Sequence, residues 1–267
     1  MRKTFGFCLL LLLAADILSA QESVSAEDYF KRGLENKNCT EAVADFNKAI
    51  ELNPKEARYY TERGRCLTDV KNESALADFS KAVALKPDYS EAYLGRAIIY
   101  FKKFLSGEDA EKSQAKALLD FNQSLKYDPK CSACYFNRAK FYFWARETET
   151  KVFSDFDKAI ELDPRNREYL ITTAGMRCLI DDVKCVADCN KMLEINPKDT
   201  DALLLRGQSY FALREFQKAV DDFTLAIETA PFPAFIYPKR AKAYRALGKI
   251  KEAEADEEKF KMLTGKQ

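Results

Sequence analysis

Histidine is missing from all 267 residues. Its absence removes Ser-His-Asp and Cys-His catalysis, c-type haem attachment, and every zinc site that needs imidazole. Nor is there an excess of charge of either sign. Lys and Arg number 43 against 42 Asp and Glu, a formal net charge of +1, so nothing electrostatic draws the whole chain to nucleic acid. Long hydrophobic runs are missing too. The longest, Phe5 to Ala15, is about eleven residues, or roughly 16 Å as a helix. That is too short for the roughly 30 Å hydrocarbon core of a bilayer. Alternating apolar and polar stretches, the mark of half-buried strands, are not found either. Hydrophobic residues still make up 47% of the chain, enough for a packed core, so disorder is excluded along with a membrane-embedded body.

Arg2 and Lys3 precede the short apolar run, and small Ala20 stands ahead of Gln21. A basic start, a short apolar stretch and a small residue describe a cleavable secretory signal. The expectation is therefore a signal over residues 1–20, cleavage near Ala20, a short linker over 21–25, and a secreted or periplasmic mature chain. Retention of the run as an uncleaved anchor is the alternative. Cleavage removes Arg2, Lys3 and Asp16, leaving acids and bases in balance.

What the mature chain does have is repetition. A proline closes a helical-period stretch at Pro54, Pro87, Pro129, Pro164, Pro197 and Pro231, with spacings of 33, 42, 35, 33 and 34 residues. Six residues after each proline comes a bulky residue: Tyr60, Tyr93, Tyr135, Leu170, Leu203 or Tyr237. Four further on comes a small one: Gly64, Ala97, Ala139, Ala174, Gly207 or Ala241. Tyr29 and Gly33 begin the same series. The segments ahead of the prolines are equally regular, as in AVADFNKAIELNP and VFSDFDKAIELDP. Apolar residues at i, i+3/i+4 and i+7 give them a helix period, and the proline stops each one. Each unit is thus predicted to be two antiparallel helices, A and B, and a proline turn.

The pattern resembles the tetratricopeptide repeat (TPR), whose period is about 34 residues. The resemblance implies an all-α fold, a right-handed superhelical solenoid of about seven helix-turn-helix repeats over residues 26–263. They are placed near 26–54, 57–87, 90–129, 132–164, 167–197, 200–231 and 234–263, with a tail at 264–267. Close packing explains the pattern. Gly or Ala in helix A admits a neighbouring helix, and an aromatic from helix B (Phe46, Phe79, Phe121, Phe156 or Phe223) fills the adjoining space. One hairpin cannot bury its apolar face alone, so neighbours stack.

Arg32, Arg63, Arg96, Arg138, Arg206 and Arg240 each precede the small helix-A residue, and Asp45, Asp78, Asp120, Asp155, Asp188, Asp222 and Asp256 recur in helix B. They suit an internal ladder, or else a basic stripe for acidic ligands. Only repeat five lacks the arginine, having Thr173 there. Repeat three carries extra residues around Lys102–Ala115, which lengthen both helices or form a protruding loop. Repeat five also replaces the helix-B aromatic with Cys189, expected to be a core thiol. A charged last helix suits a solubilising cap.

In TPR proteins helix A lines the concave face, and the resemblance places Leu94, Ile98, Phe101, Phe136, Lys140, Phe143, Ile171, Leu204, Gln208 and Phe211 there. Several of these aromatics could instead pack within the array. Arg65 lies toward one end, Lys242 and Arg245 toward the other. The asparagine that some TPR co-chaperones use to hold a C-terminal carboxylate is absent at the corresponding positions. Seven cysteines follow Cys8. Cys178 and Cys185 are expected to face each other across a turn, Cys39 and Cys66 to share an edge, and Cys131 and Cys134 to lie one helical turn apart. All six are possible disulfide partners in an oxidising compartment. The function expected is that of a non-enzymatic scaffold holding a segment of another protein, with no cofactor, nucleic acid, small-molecule substrate or stable membrane span. A thiol-redox or metal-handling factor built on Cys131/Cys134 is the alternative, and carboxylate acid–base catalysis a third.

Overall fold

The structure, a computed structural model, describes residues 24–265. The expected signal at 1–20 lies outside the described residues. Among those described there are fourteen α-helices, a single 3-10 turn and no strand, which makes the fold all-α. None of the helices is long and apolar enough to cross a membrane.

The chain divides into two compact units, one ending at Pro129 and the other beginning at Lys130. The first holds three hairpins: α1 (Ala26–Glu35) with α2 (Cys39–Leu52), α3 (Ala57–Leu67) with α4 (Asn72–Leu85), and α5 (Ser90–Leu105) with α6 (Ala110–Tyr127). The second holds four: α7 (Ser132–Trp144) with α8 (Glu149–Leu162), α9 (Arg167–Cys178) with α10 (Asp182–Ile195), α11 (Thr200–Ala212) with α12 (Phe216–Thr229), and α13 (Tyr237–Ala246) with α14 (Ile250–Thr264). The extra residues of repeat three lengthen α5 and α6 to 16 and 18 residues. Repeat seven enters through a 3-10 turn, Pro233–Ile236, which buries Ile236.

Local chemistry sets the helix ends. At the start of α1 the Ser25 hydroxyl accepts from the Asp28 amide while the Asp28 carboxylate accepts from the Ser25 amide, a reciprocal cap. Asn38, Asn166, Asp181 and Asp199 cap α2, α9, α10 and α11 in the simpler way. At the other end, Asn53, Lys86, Asp128, Asp163 and Asn196 leave the helical region immediately before a proline. The bulky residue six places on then closes the turn: the Tyr60 and Tyr93 hydroxyls donate to the carbonyls of Pro54 and Pro87 at 3.1 Å.

Packing follows the small-residue logic. A Cβ on Gly33 would stand 2.5 Å from the Phe46 ring, and one on Gly207 would stand 2.8 Å from Phe223. Phe79 is gripped from both sides, by Gly64 of its own hairpin and by Gly95 of the next, where a Cβ would come within 2.2 Å. Phe79, Phe121, Phe156 and Phe223 are wholly or almost wholly buried. Each such ring removes its apolar surface from water, about 2–3 kcal/mol per side chain.

Candidate functional site

The arginines and aspartates form an internal ladder, so they are not a ligand stripe. Arg63 donates from Nε and Nη2 to both oxygens of Asp78 at 2.8 and 2.6 Å. Arg96–Asp120, Arg138–Asp155, Arg206–Asp222 and Arg240–Asp256 repeat this fork at 2.6–2.9 Å, and Arg32 grips Asp45 in the same way. The carboxylates are buried. These bonds hold the guanidinium pKa of Arg63, Arg96, Arg206 and Arg240 above its ordinary value, against the opposing effect of burial. The remaining nitrogen reaches the preceding hairpin from Arg63 to Asn47, from Arg206 to Asn190 and from Arg240 to Thr224.

With the ladder satisfied internally, the side chains left for a partner are those on the helix-A faces. In the first unit Leu94 and Ile98 are half-buried on α5, whereas Phe101 is 6% exposed and belongs to the core. In the second unit the expectation also needs correcting at two positions. Phe136 is 2% exposed, stacked on Tyr169 at 4.4 Å and set edge-on to Phe156, and Leu204 is buried in the cluster around Phe223. Rings and branched chains at these places pack between adjacent hairpins, so they support the face without forming its surface. Lys140, Phe143, Ile171 and Phe211 are half-buried and Gln208 is exposed. The Lys140 ammonium rests 5.2 Å over the Phe136 ring.

Gln208 and Phe211 are brought together with Lys239 and Lys242 from α13. The four residues, with the edge of Phe223, line a cavity of about 260 Å³. Gln208 donates through its amide nitrogen to the Leu204 carbonyl, which turns its oxygen toward the Lys239 ammonium at 3.2 Å. Among the described residues no carboxylate pairs with Lys239 or Lys242, whereas Arg245 is held by Glu257 at 2.8 Å. The cavity therefore offers an aromatic wall beside two positive charges without internal counterions. Lys242 was expected at this end. Lys239 was not, because it stands two places before the small residue Ala241, outside the spacing used to choose the face. The i, i+3 pair Lys239/Lys242 was the available signal.

The cysteines fall into three groups. Cys131 and Cys134 are joined by a disulfide, as are Cys178 and Cys185. Cys131 also caps α7, its sulfur accepting from the Cys134 amide, and Cys134 is fully buried. That places the pair at a helix start in a structural position. Cys39 and Cys66, expected as possible disulfide partners, are both free thiols. They touch: burial, followed by a hydrogen bond with Cys39, pushes the Cys66 thiol up to about 12. Cys189 lies in the core as expected.

The tetratricopeptide repeat family model matches residues 200–233, which are α11, α12 and the turn after them. Solved structures extend the likeness over most of the chain. A tetratricopeptide repeat protein from Parabacteroides merdae is 18% identical, with 91% of this chain and 94% of that one covered at a TM-score of 0.58. The pilF protein of Pseudomonas aeruginosa is 14% identical over 79% and 93%, at 0.59. YrrB, described as a TPR protein with an unusual peptide-binding site, is 20% identical over 76% and 97%, at 0.54. At these identities the likeness is one of fold: stacked helical hairpins of the tetratricopeptide type.

Proposed function

We propose that this chain is an exported, non-enzymatic scaffold that holds a segment of a partner protein against the helix-A face of its second unit. The observation that carries the reading is the 260 Å³ cavity in which Phe211 and Gln208 meet the uncountered ammonium groups of Lys239 and Lys242. Such a cavity suits an apolar or aromatic side chain next to an acidic one, the mixed anchor of many peptide-recognition surfaces. Half-buried Ile171 and Phe143 extend the apolar part of the face within the same unit. A peptide-binding site on YrrB, a protein of similar fold, supports the reading by analogy. Export rests on the sequence of residues 1–20 and agrees with the use of disulfides.

Affinity capture from the native compartment, followed by crosslink mapping, tests the proposal. The wild-type chain should crosslink a partner segment to α11 and α13, and Phe211→Ala with Lys239→Glu and Lys242→Glu should lose it while keeping the wild-type helix content. Undiminished capture by that triple variant would overturn the site. Amino-terminal sequencing of the native protein tests export, the expected first residue being Gln21.

A further inference from the structure

Three sulfurs converge between α9 and α10. Cys178 ends α9, while Cys185 and Cys189 stand one turn apart on α10, and all three Sγ atoms lie within 4.8 Å of one another. Cys178 and Cys185 are bonded, and the Cys189 thiol is 4.0 Å from the Cys185 sulfur. Cys189 occupies the helix-B position that is phenylalanine in α2, α4, α6, α8 and α12. It does not reproduce that packing. In the other hairpins the ring presses on the small residue of helix A, as Phe46 does on Gly33 and Phe223 on Gly207, whereas Cys189 brings no ring and sits in a cluster with Ala174 and Met192. Phenylalanine would bury more apolar surface here. Cysteine places a nucleophile beside a disulfide.

We propose that Cys178, Cys185 and Cys189 form an exchange relay, in which Cys189 displaces Cys178 from its disulfide and makes Cys178 a covalent modification site. The Cys189 thiolate attacks the Cys185 sulfur. The Cys185–Cys189 bond forms, the Cys178–Cys185 bond breaks, and the electron pair leaves on Cys178. The proton that Cys189 gave to solvent is taken up again at Cys178. One disulfide and one thiol stand on each side, so no oxidant or reductant is consumed. Helix geometry accommodates the product, because Cα atoms four residues apart on a helix are about 6.2 Å apart, inside the usual disulfide range. Cys185 and Cys189 are wholly buried, whereas Cys178 is half-exposed at the α9–α10 turn. Exchange thus carries the odd thiol from the core to the surface, where it would react with an alkylating carbon or with the disulfide of a small thiol. Attack on Cys178 would instead free Cys185, which stays out of reach.

Burial pushes the Cys189 thiol up to about 12. Asp188 on its own helix, with Asp199 and Asp222, adds to this, and Arg206 of α11 opposes it. The reactive thiolate is therefore scarce at neutral pH, and its fraction grows about tenfold per pH unit below the pKa.

The test uses the full chain without reductant. It is incubated with iodoacetamide at pH 7 and pH 9, then denatured, and the remaining thiols are tagged with N-ethylmaleimide before non-reducing tryptic mapping. Cleavage after Arg177, Lys184 and Lys191 puts Cys178 on one peptide and both Cys185 and Cys189 on the next. The expected result is iodoacetamide on Cys178, accumulating about a hundredfold faster at pH 9, matched by a disulfide internal to the Cys185/Cys189 peptide. Cys189→Ala and the closer-sized Cys189→Ser should leave Cys178 unlabelled, read in whichever variant keeps the wild-type melting curve. The relay is overturned if Cys178 never takes iodoacetamide, if it does so equally in the Cys189 variants, or if Cys178 and Cys185 are both thiols at the start.

Discussion

Arg177 pairs with Asp188 from one helical turn beyond the place that every other rung of the ladder uses. Its Nε lies 2.8 Å from the aspartate oxygen, although the approach is not in line as in the other forks. The usual place holds Thr173, whose buried hydroxyl has no hydrogen-bond partner among the described residues. Arg177 also donates to Asp157 at 2.7 Å and lies 4.4 Å over the Phe153 ring, both on α8. One guanidinium therefore substitutes for the missing rung and ties α9 to the hairpin before it.

Removing it should be costly. Among the described residues Arg177→Ala leaves the buried Asp188 carboxylate with Lys191 at 3.3 Å, and the expected loss is about 3 kcal/mol, the low end for removing one partner of a buried pair. Arg177→Ala with Asp188→Asn should recover part of that loss. Urea unfolding of the two variants provides the measurement, and equal midpoints would refute the pairing.

Two glycines should respond in opposite directions to the same change. Gly95→Ala drives a methyl group to within 2.2 Å of the Phe79 ring, and overpacking of this kind costs about 1–3 kcal/mol. Gly175→Ala meets open space inside α9, and should stabilise by roughly 0.5–1 kcal/mol through helix propensity alone. Thermal melts of both variants decide the matter.

Acid should weaken the fold through named carboxylates. Burial raises the Asp199 pKa, but hydrogen bonds from Arg167 and from the Ala202 and Asp201 amides outweigh it and hold the group below its ordinary value. The Arg32 bond holds Asp45 low likewise. A depressed folded-state pKa means that the unfolded chain binds more protons. The stabilisation is therefore complete above the unfolded value of about 3.9 and is lost as pH falls through the folded value. Arg167→Ala leaves burial of Asp199 less opposed, so helix content followed from pH 7 downward should collapse at a higher pH than in wild type.

Partner capture should be salt-sensitive in a residue-specific way. Lys239 and Lys242 lack counterions among the described residues, so their attraction for a bound acidic segment would be screened by added salt. Raising ionic strength should weaken wild-type capture, and a Lys239→Gln, Lys242→Gln variant should bind less tightly with a flatter salt response. A variant with the full wild-type slope would remove both lysines from the site.

The fold was legible because its determinants are local and repeated. Proline stops, Gly33 against Phe46 and the Arg–Asp fork each recur at fixed offsets, so seven weak signals reinforce one another. The face was less legible. Phe101, Phe136 and Leu204 share the helix-A register with Gln208 and Phe211, and register alone does not tell a side chain that leans onto the adjacent hairpin from one that stays in solvent. Arg177 was missed because compensation one turn away breaks the offset that defines a rung. Gly95 was missed because it lies two places before the expected small residue, and only the position of Phe79 shows why it is needed. The division at Pro129/Lys130 has no sequence mark, since that proline ends its helix like all the others.

The third bond made by Arg63, Arg206 and Arg240 bears on how the hairpins come apart. Each of these guanidiniums clasps its own carboxylate and, with a free nitrogen, the helix behind it. Pulling the last hairpin outward then has to break Arg240 from Thr224, while Arg206 still latches the next hairpin to Asn190. Under tension a unit built this way would let go one latch at a time, each detachment meeting a polar catch that rods held by grease alone would lack.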